Sequence, residues 1–179
     1  MLHGTYGHFK TISRVDRDRR DSSNGEKDPY PLVRPFGYVE DRPIIRRIAD
    51  RDIYLGNHLA ADPRRHDREF EFVLSATDEE RPLTTHHRPL VDGRGNEWPV
   101  FEQAVDTARS LYRREGSLLI HCKAGVSRSS TLVATTLAAE EGMAFAGALS
   151  AVRTARPIAI PHPALHEQAV VYLAAKTRR

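Results

Sequence analysis

An α/β domain with a central mixed sheet flanked by helices is the fold class the sequence predicts, and three observations predict it. Short strand-like apolar runs occupy residues 44–90, and Ala- and Leu-rich helical stretches dominate residues 130–176. Between them the largely apolar run Ser117-Leu118-Leu119-Ile120-His121 has the character of a strand buried on both faces. The chain has 179 residues, 40% of them hydrophobic and about 46% with glycine, inside the globular range. That length suits one domain able to bury a core without metals or disulfides.

Residues 44–49 and 53–55 predict two short strands joined at Asp50-Arg51-Asp52, with Gly56-Asn57 closing the second. Glu71-Phe72-Val73-Leu74-Ser75 predicts a third strand and residues 85–90 a fourth. The fourth ends in Val91-Asp92-Gly93-Arg94-Gly95-Asn96, a loop marked by its two glycines. A helix is expected after Asn96, a good N-cap, with Pro99 tolerated in the first turn. Trp98, Phe101, Ala104, Val105, Ala108, Leu111 and Tyr112 recur mostly three and four apart and give this helix one buried face, up to Gly116. The central strand over 117–121 follows, then a glycine-containing loop and a helix over 130–141 that stops at Gly142. Two further helices are expected over 144–155 and 163–176, separated by Arg156-Pro157-Ile158-Ala159-Ile160-Pro161.

Residues 1–42 differ from the rest, and the ordered domain is expected over 43–179. Fifteen of those 42 residues are charged and twelve are apolar, without helical or strand period, and Pro29, Pro31 and Pro35 crowd the end. The reading is an N-terminal arm, mobile up to about Asp28, that buries too little apolar surface to offset its ordering entropy. Residues 30–39 are richer in aromatics and suit an extended strap across the domain surface. The longest apolar runs, 169–175 and 142–149, are less than half of the roughly 20 residues a membrane span needs. The start of the chain lacks the basic-then-apolar pattern of a signal peptide, so a soluble, cytoplasmic protein is expected. Lys and Arg number 27 against 24 Asp and Glu, interleaved as in Arg17-Asp18-Arg19-Arg20-Asp21. This +3 balance permits an anionic substrate, and its lack of a basic patch argues against a nucleic-acid partner. Cys122 is the only cysteine, which excludes an intrachain disulfide and a multi-cysteine zinc site. Such a cysteine is either inert packing or a nucleophile, and its neighbours decide.

Those neighbours are His121-Cys122-Lys123-Ala124-Gly125-Val126-Ser127-Arg128-Ser129. Between a buried strand and a helix, the backbone N–H groups of Lys123, Ala124, Gly125, Val126 and Ser127 can converge in front of the helix N-terminus. Such a concavity binds tetrahedral oxyanions. Gly125 allows the tight backbone path. Arg128, six residues after Cys122, can return its planar fork to grip two phosphate oxygens. The same positive surroundings lower the Cys122 pKa beneath its free value of about 8.5 and make it a thiolate at neutral pH. A thiolate beneath a bound phosphate is placed for in-line attack on phosphorus, which is nucleophilic catalysis. An inert cysteine before an ordinary strand-to-helix turn leaves the Cys, Gly and Arg spacing unexplained.

Written as His-Cys-x-x-Gly-x-x-Arg-Ser, this stretch resembles the signature of the cysteine-dependent protein tyrosine phosphatases. With Ser127 before Arg128 it is similar to their dual-specificity branch. The resemblance extends over about residues 44–173, where Ile53-Tyr54-Leu55-Gly56-Asn57 and Phe72-Val73-Leu74-Ser75-Ala76 look like the branch's early strands. It implies a protein tyrosine phosphatase-like fold and hydrolysis of phosphomonoesters, phosphotyrosine and phosphoserine/threonine of proteins, through a phosphocysteine intermediate, with no metal and no cofactor. It also implies a general-acid aspartate on a movable loop upstream, where Asp92 stands thirty residues before Cys122 in the glycine-containing loop just before the helix. The chemistry needs that acid, because the leaving oxygen must be protonated as the P–O bond breaks. Asp78 and Asp106 are the other candidates, Asp78 early for such a loop and Asp106 inside the expected helix. By the resemblance, Ser129 assists departure of the thiolate, beside its plain reading as a helix N-cap. His121 hydrogen-bonds around the cysteine and tunes it, and Ser127 orders the loop.

The sequence also departs from the branch. Thr135-Thr136-Leu137-Ala138 stands where many members carry Ala-Tyr-Leu-Met, and Pro161-His162-Pro163-Ala164-Leu165 replaces a Pro-Asn-x-Gly-Phe stretch. Lys123 also occurs in branches acting on phosphoinositides and phosphatidylglycerophosphate, and a rim cation suits a more highly charged substrate. Its plain reading is a solvated lysine. A phosphatase of phosphoinositide or phospholipid head groups is therefore one alternative, and a non-catalytic module that binds phospho-ligands is another. Loss of the cysteine, arginine or acid would mark such a module, and all three are present. His162 and His166 are spaced for a shared helix face, and His86 and His87 for opposite faces of a strand. Without a convergent carboxylate or second cysteine they read as surface or capping residues.

Overall fold

The computed structural model describes residues 37–177, so the expected mobile arm and residues 30–36 of the strap lie outside the described residues. The strands are β1 (Ile45–Arg47), β2 (Ile53–Gly56), β3 (Phe72–Ser75), β4 (His86–His87) and β5 (Leu118–His121). The helices are α1 (Trp98–Tyr112), α2 (Arg128–Glu141), α3 (Phe145–Ala155) and α4 (Pro163–Thr177), with a 3₁₀ turn over His58–Ala61. The strands form one mixed sheet in the order β1-β2-β5-β3-β4. β1 pairs antiparallel with β2, and every other pair is parallel.

β5 lies at the centre, and all four of its residues are buried. Ile53, Leu55, Phe72, Leu74, Leu118 and Ile120 face a large core shared with the four helices. The alternate residues Tyr54, Val73 and Leu119 join a smaller cluster with Ala60 and Ala61 of the 3₁₀ turn. Burial on both faces is why the strand reads as a continuous apolar run. β1 stops short of the expected end because Ala49 takes φ 52 and turns the chain, while the Ile48 amide closes onto the Ile53 carbonyl. β4 is only two residues long. Pro89 has no N–H for the ladder, although the Arg88 and Leu90 amides still reach the Ser75 and Ala76 carbonyls.

Both ends of α1 and the start of α2 differ from expectation. Glu97, not Asn96, occupies the N-cap of α1 and makes no side-chain cap bond. Asn96 instead closes the preceding loop, accepting from the Val91 amide (2.8 Å) and donating to the Val91 (2.9 Å) and Gly93 (3.3 Å) carbonyls. α1 ends at Tyr112, before Gly116, whose φ of 115 turns the chain into β5. α2 begins at Arg128, two residues before the expected start, so Ser129 lies inside the first turn and is not its cap. Residues 128–138 are all buried, so α2 is the central helix, packed on β2 and β5 and by α1, α3 and α4. Its small Ala, Ser and Thr side chains permit that close packing from all sides. Gly142, at φ 65, closes it as the left-handed C-cap.

Candidate active site

The parallel strands bring three chain ends to one edge of the sheet. Gly56 of β2 and Ser75 of β3 both stand in register with His121 of β5. Ligand sites in open α/β sheets form beyond such carboxyl ends. The segment 122–127 leaves β5 at this edge and turns back into α2. Gly125 takes φ 66, and a Cβ there would lie 3.0 Å from the Gly56 carbonyl carbon and oxygen and 3.2 Å from the Asn57 nitrogen. Both the backbone angle and the close approach require glycine. Hydroxyls tie the turn. Ser130 donates to the Val126 and Ser127 carbonyls (2.6 and 2.8 Å), and Ser127 accepts from the His162 amide (2.9 Å).

Cys122 is 3% exposed, and its sulfur lies 3.2 Å from Ser129 Oγ. Burial pushes its pKa up. The Arg128 charge, the Ser129 hydroxyl and the Ser129 and Val126 amides together outweigh burial, and the thiol lies below its ordinary range. His121 is fully buried, and its Nε2 meets the Ser75 hydroxyl. Burial above all pushes His121 down to about 3, so the ring is neutral at physiological pH and does not itself lower the cysteine by charge.

Arg128 reaches back over the loop. Its Nη1 donates to the carbonyls of Ala76 (3.2 Å) and Leu90 (3.0 Å), while its Nε is buried without a hydrogen-bond partner among the described residues. A buried donor of that kind is costly unless something accepts from it. A cavity of about 200 Å³ opens at this point, bounded by Cys122, Lys123, Ala124, Val126, Ser127 and Arg128, by Asp92, and by Gly37, Tyr38 and Val39. Asp92 thus shares the cavity with Cys122. Asp78 does not: its carboxylate lies 3.7 Å from Arg128 Nη1 in an adjoining cavity with His58, Thr77, Glu79, Arg81 and Lys123. Asp106 lies on α1, where it accepts from the Tyr172 hydroxyl of α4.

Comparison with known proteins places this arrangement. The family described as dual specificity phosphatase, catalytic domain, matches residues 53–174. The chain belongs to that family. Within the cysteine-dependent protein tyrosine phosphatase superfamily it falls in the dual-specificity branch. Mouse dual specificity protein phosphatase 15 is 32% identical over 124 residues, covering 65% of this chain and 52% of that protein. Mouse dual specificity protein phosphatase 19 is 41% identical over 76 residues, covering 42% and 34%. The chain therefore spans about half the length, or less, of these curated relatives. The crystal structure of human DUSP28 shares the fold, with a TM-score of 0.66 at 22% identity over 78% of this chain and 99% of that one.

In this dual-specificity framework several residues carry weight that the sequence analysis did not assign. Asn57, fully buried, accepts from the Ile44 amide (3.0 Å) and the Ala60 amide (3.2 Å) and donates to the Arg42 carbonyl (2.8 Å), framing the edge against which Gly125 packs. Ser75 holds His121. Glu40 and Arg156 form an ion pair (2.7 Å) behind the loop, joining residues 116 positions apart. The Gly-Asn after β2 is a local signal for the first; nothing local marks the other pair. His162 caps α4, its Nδ1 accepting from the Ala164 amide (3.1 Å), and His166 packs on the Phe145 ring. His86 meets Thr85 and His87 meets the Thr77 carbonyl, so the neighbouring rings have separate partners. No group of three or more His, Cys, Asp or Glu suited to a metal occurs among the described residues. No helix of the described residues is long and apolar enough to cross a membrane.

Proposed function

We propose that the chain is a cysteine-dependent phosphatase that hydrolyses phosphotyrosine and phosphoserine/threonine of proteins through a phosphocysteine intermediate. The observation that carries this reading is one cavity lined by a buried thiol of lowered pKa, by Asp92 and by Arg128, whose buried Nε has no hydrogen-bond partner among the described residues. Nη1 of Arg128 is engaged by two carbonyls, which steadies the guanidinium and leaves its other edge for phosphoryl oxygens. The Cys122 thiolate attacks phosphorus in line with the leaving oxygen; the S–P bond forms, the P–O bond breaks, and Asp92 gives the departing oxygen its proton. In the second step the Asp92 carboxylate takes a proton from water as that water attacks phosphorus. The S–P bond breaks, and the Ser129 hydroxyl donates to the returning thiolate. Loop amides and Arg128 balance the charge on the transferring group throughout.

The presence of cysteine, arginine and acid in one place disfavours a non-catalytic module, and the relatives are protein phosphatases by name. The working thiol has to stay reduced, which suits the cytoplasm. The test is hydrolysis of 4-nitrophenyl phosphate, a phosphotyrosine peptide and a phosphothreonine peptide by the wild type and by Cys122→Ser. We expect turnover of all three by the wild type and none above background by the variant, which should still bind phosphate. Peptide turnover by Cys122→Ser near the wild-type rate would remove the nucleophile from the scheme. Hydrolysis of phosphoinositide micelles without peptide hydrolysis would move the substrate to lipid head groups.

A further inference from the structure

Residues 37–42 precede the family match, yet three of them, Gly37, Tyr38 and Val39, form a wall of the cavity that holds Cys122. The segment is anchored through Glu40. Its carboxylate accepts from Arg156 Nη1 (2.7 Å) and from Arg42 Nε (3.1 Å). A second anchor lies two residues on, where Asn57 Nδ2 donates to the Arg42 carbonyl. The Glu40 and Arg156 side chains are 11% and 7% exposed, so each charge depends on the other for compensation.

Arg156 spends its remaining donors on the loop: Nε reaches the Gly125 carbonyl (3.3 Å) and Nη2 the Ala124 carbonyl (3.4 Å). In a planar trans peptide the C=O and the following N–H point in opposite directions. Holding the Ala124 and Gly125 carbonyls outward therefore turns the Gly125 and Val126 N–H groups the other way. The Val126 amide is among the groups that lower the Cys122 thiol. A guanidinium with donors on two edges can take a carboxylate and two carbonyls at once, which an ammonium on a flexible stem cannot do in fixed geometry.

We propose that Glu40 and Arg156 act as one clasp that orients the phosphate-binding loop and holds residues 37–39 as a wall of the catalytic cavity. Both are positioning residues, and the inference rests on the phosphatase reading above. Removing the guanidinium frees two peptide units to rotate and leaves the Glu40 carboxylate without its main partner. Removing the carboxylate's charge loosens the guanidinium and, with it, the wall.

The test compares wild type with Glu40→Gln, Arg156→Lys, Arg156→Met and the double variant Glu40→Gln/Arg156→Met. Three measurements are made below each protein's melting temperature: steady-state kinetics (kcat and KM) on 4-nitrophenyl phosphate, inorganic phosphate affinity by calorimetry, and the pH midpoint of Cys122 alkylation. For Arg156→Met we expect kcat to fall about 10²-fold, as misplacement by a fraction of an ångström to one ångström can do. Phosphate affinity should weaken and the alkylation midpoint should rise. Glu40→Gln should shift all three the same way, with about a tenfold loss in kcat. The double variant should match Arg156→Met within about twofold, because the pair works as a unit. A merely structural role would lower the melting temperature and leave the alkylation midpoint of the folded protein in place, which would overturn the proposal. So would multiplicative losses in the double variant. Should Arg156→Met fail to fold, Glu40→Gln and Arg156→Lys decide by the same criteria. If the wild type binds phosphate but does not turn over the ester, the phosphatase reading fails. Phosphate affinity and alkylation then still judge the clasp, and values unchanged in Glu40→Gln would overturn it.

Discussion

Burial and nearby positive charge act in opposite directions on the Cys122 sulfur, and the hydrogen-bond donors decide the balance. Burial alone would keep the thiol protonated; Arg128, the Ser129 hydroxyl and two backbone amides favour the thiolate. Because the shift is downward, the thiolate persists to lower pH than an ordinary cysteine allows. The iodoacetamide reaction rate should rise with pH and level off, with a midpoint below the free value of about 8.5. Ser129→Ala removes one donor to the anion, so its midpoint should lie higher. A midpoint at or above about 8.5 in the wild type, or one unmoved in the variant, would contradict this account. Asp92 is tested by the leaving group. Asp92→Asn should cost about 10²–10⁴-fold on a phosphothreonine peptide, whose alkoxide needs a proton, and much less on 4-nitrophenyl phosphate. Equal losses on the two substrates would make Asp92 a structural residue of the Asp-Gly turn.

At the scale of elements, α2 shows how a helix can be central without being strongly apolar. Its Thr135 and Thr136 are both fully buried, but the two hydroxyls differ. Thr135 Oγ1 donates back to the Thr131 carbonyl (2.7 Å), whereas Thr136 Oγ1 is buried without a hydrogen-bond partner among the described residues. A desolvated hydroxyl without a partner costs about 1–3 kcal/mol. Thr136→Val keeps the shape and removes the polar atom, and should raise unfolding stability by about 1 kcal/mol in urea denaturation. Thr135→Val, which loses a made hydrogen bond, should be neutral or destabilising. A less stable Thr136→Val would mean that the hydroxyl has an acceptor in solution. The α1 start makes a related point. Asn96 is a fair N-cap by type, but the Asp92 loop needs its amide more, because three backbone groups of that loop would otherwise lack partners.

Across the whole molecule, one cysteine serves as the proposed nucleophile and none is available to protect it. A low-pKa thiol oxidises readily, and its sulfenic acid can condense with a second thiol where one exists. Here that route is closed within the chain. Peroxide should abolish the proposed activity with a pH dependence that follows Cys122 ionisation, and bound phosphate or vanadate should protect. Reductant should restore activity early, from the sulfenic acid or a sulfenamide with a backbone nitrogen, and fail after prolonged exposure as sulfinic acid forms. Inactivation indifferent to pH and to the bound anion would separate Cys122 from the cavity chemistry.

Contiguous spacing encodes β5, the Cys122-to-Ser129 turn with its glycine, and the periodic face of α1, and all three are readable from the chain before it folds. Such features depend on local backbone geometry and burial pattern, which a short window carries. Asp92 was pointed to by the resemblance, which implies an acid on a loop upstream of the cysteine, with Asp78 and Asp106 standing as alternatives. Only the tertiary structure decided which aspartate shares the cavity with the cysteine, that α2 is enclosed on every side, and that Glu40 stands against Arg156 from 116 positions away. Those depend on the order in which strands enter the sheet and on where a charge finds compensation once it is buried. Neither leaves a mark in a local window. Residues 37–39 have no period to announce them, and they gain their place at the cavity from a carboxylate that meets its partner only when the chain has folded.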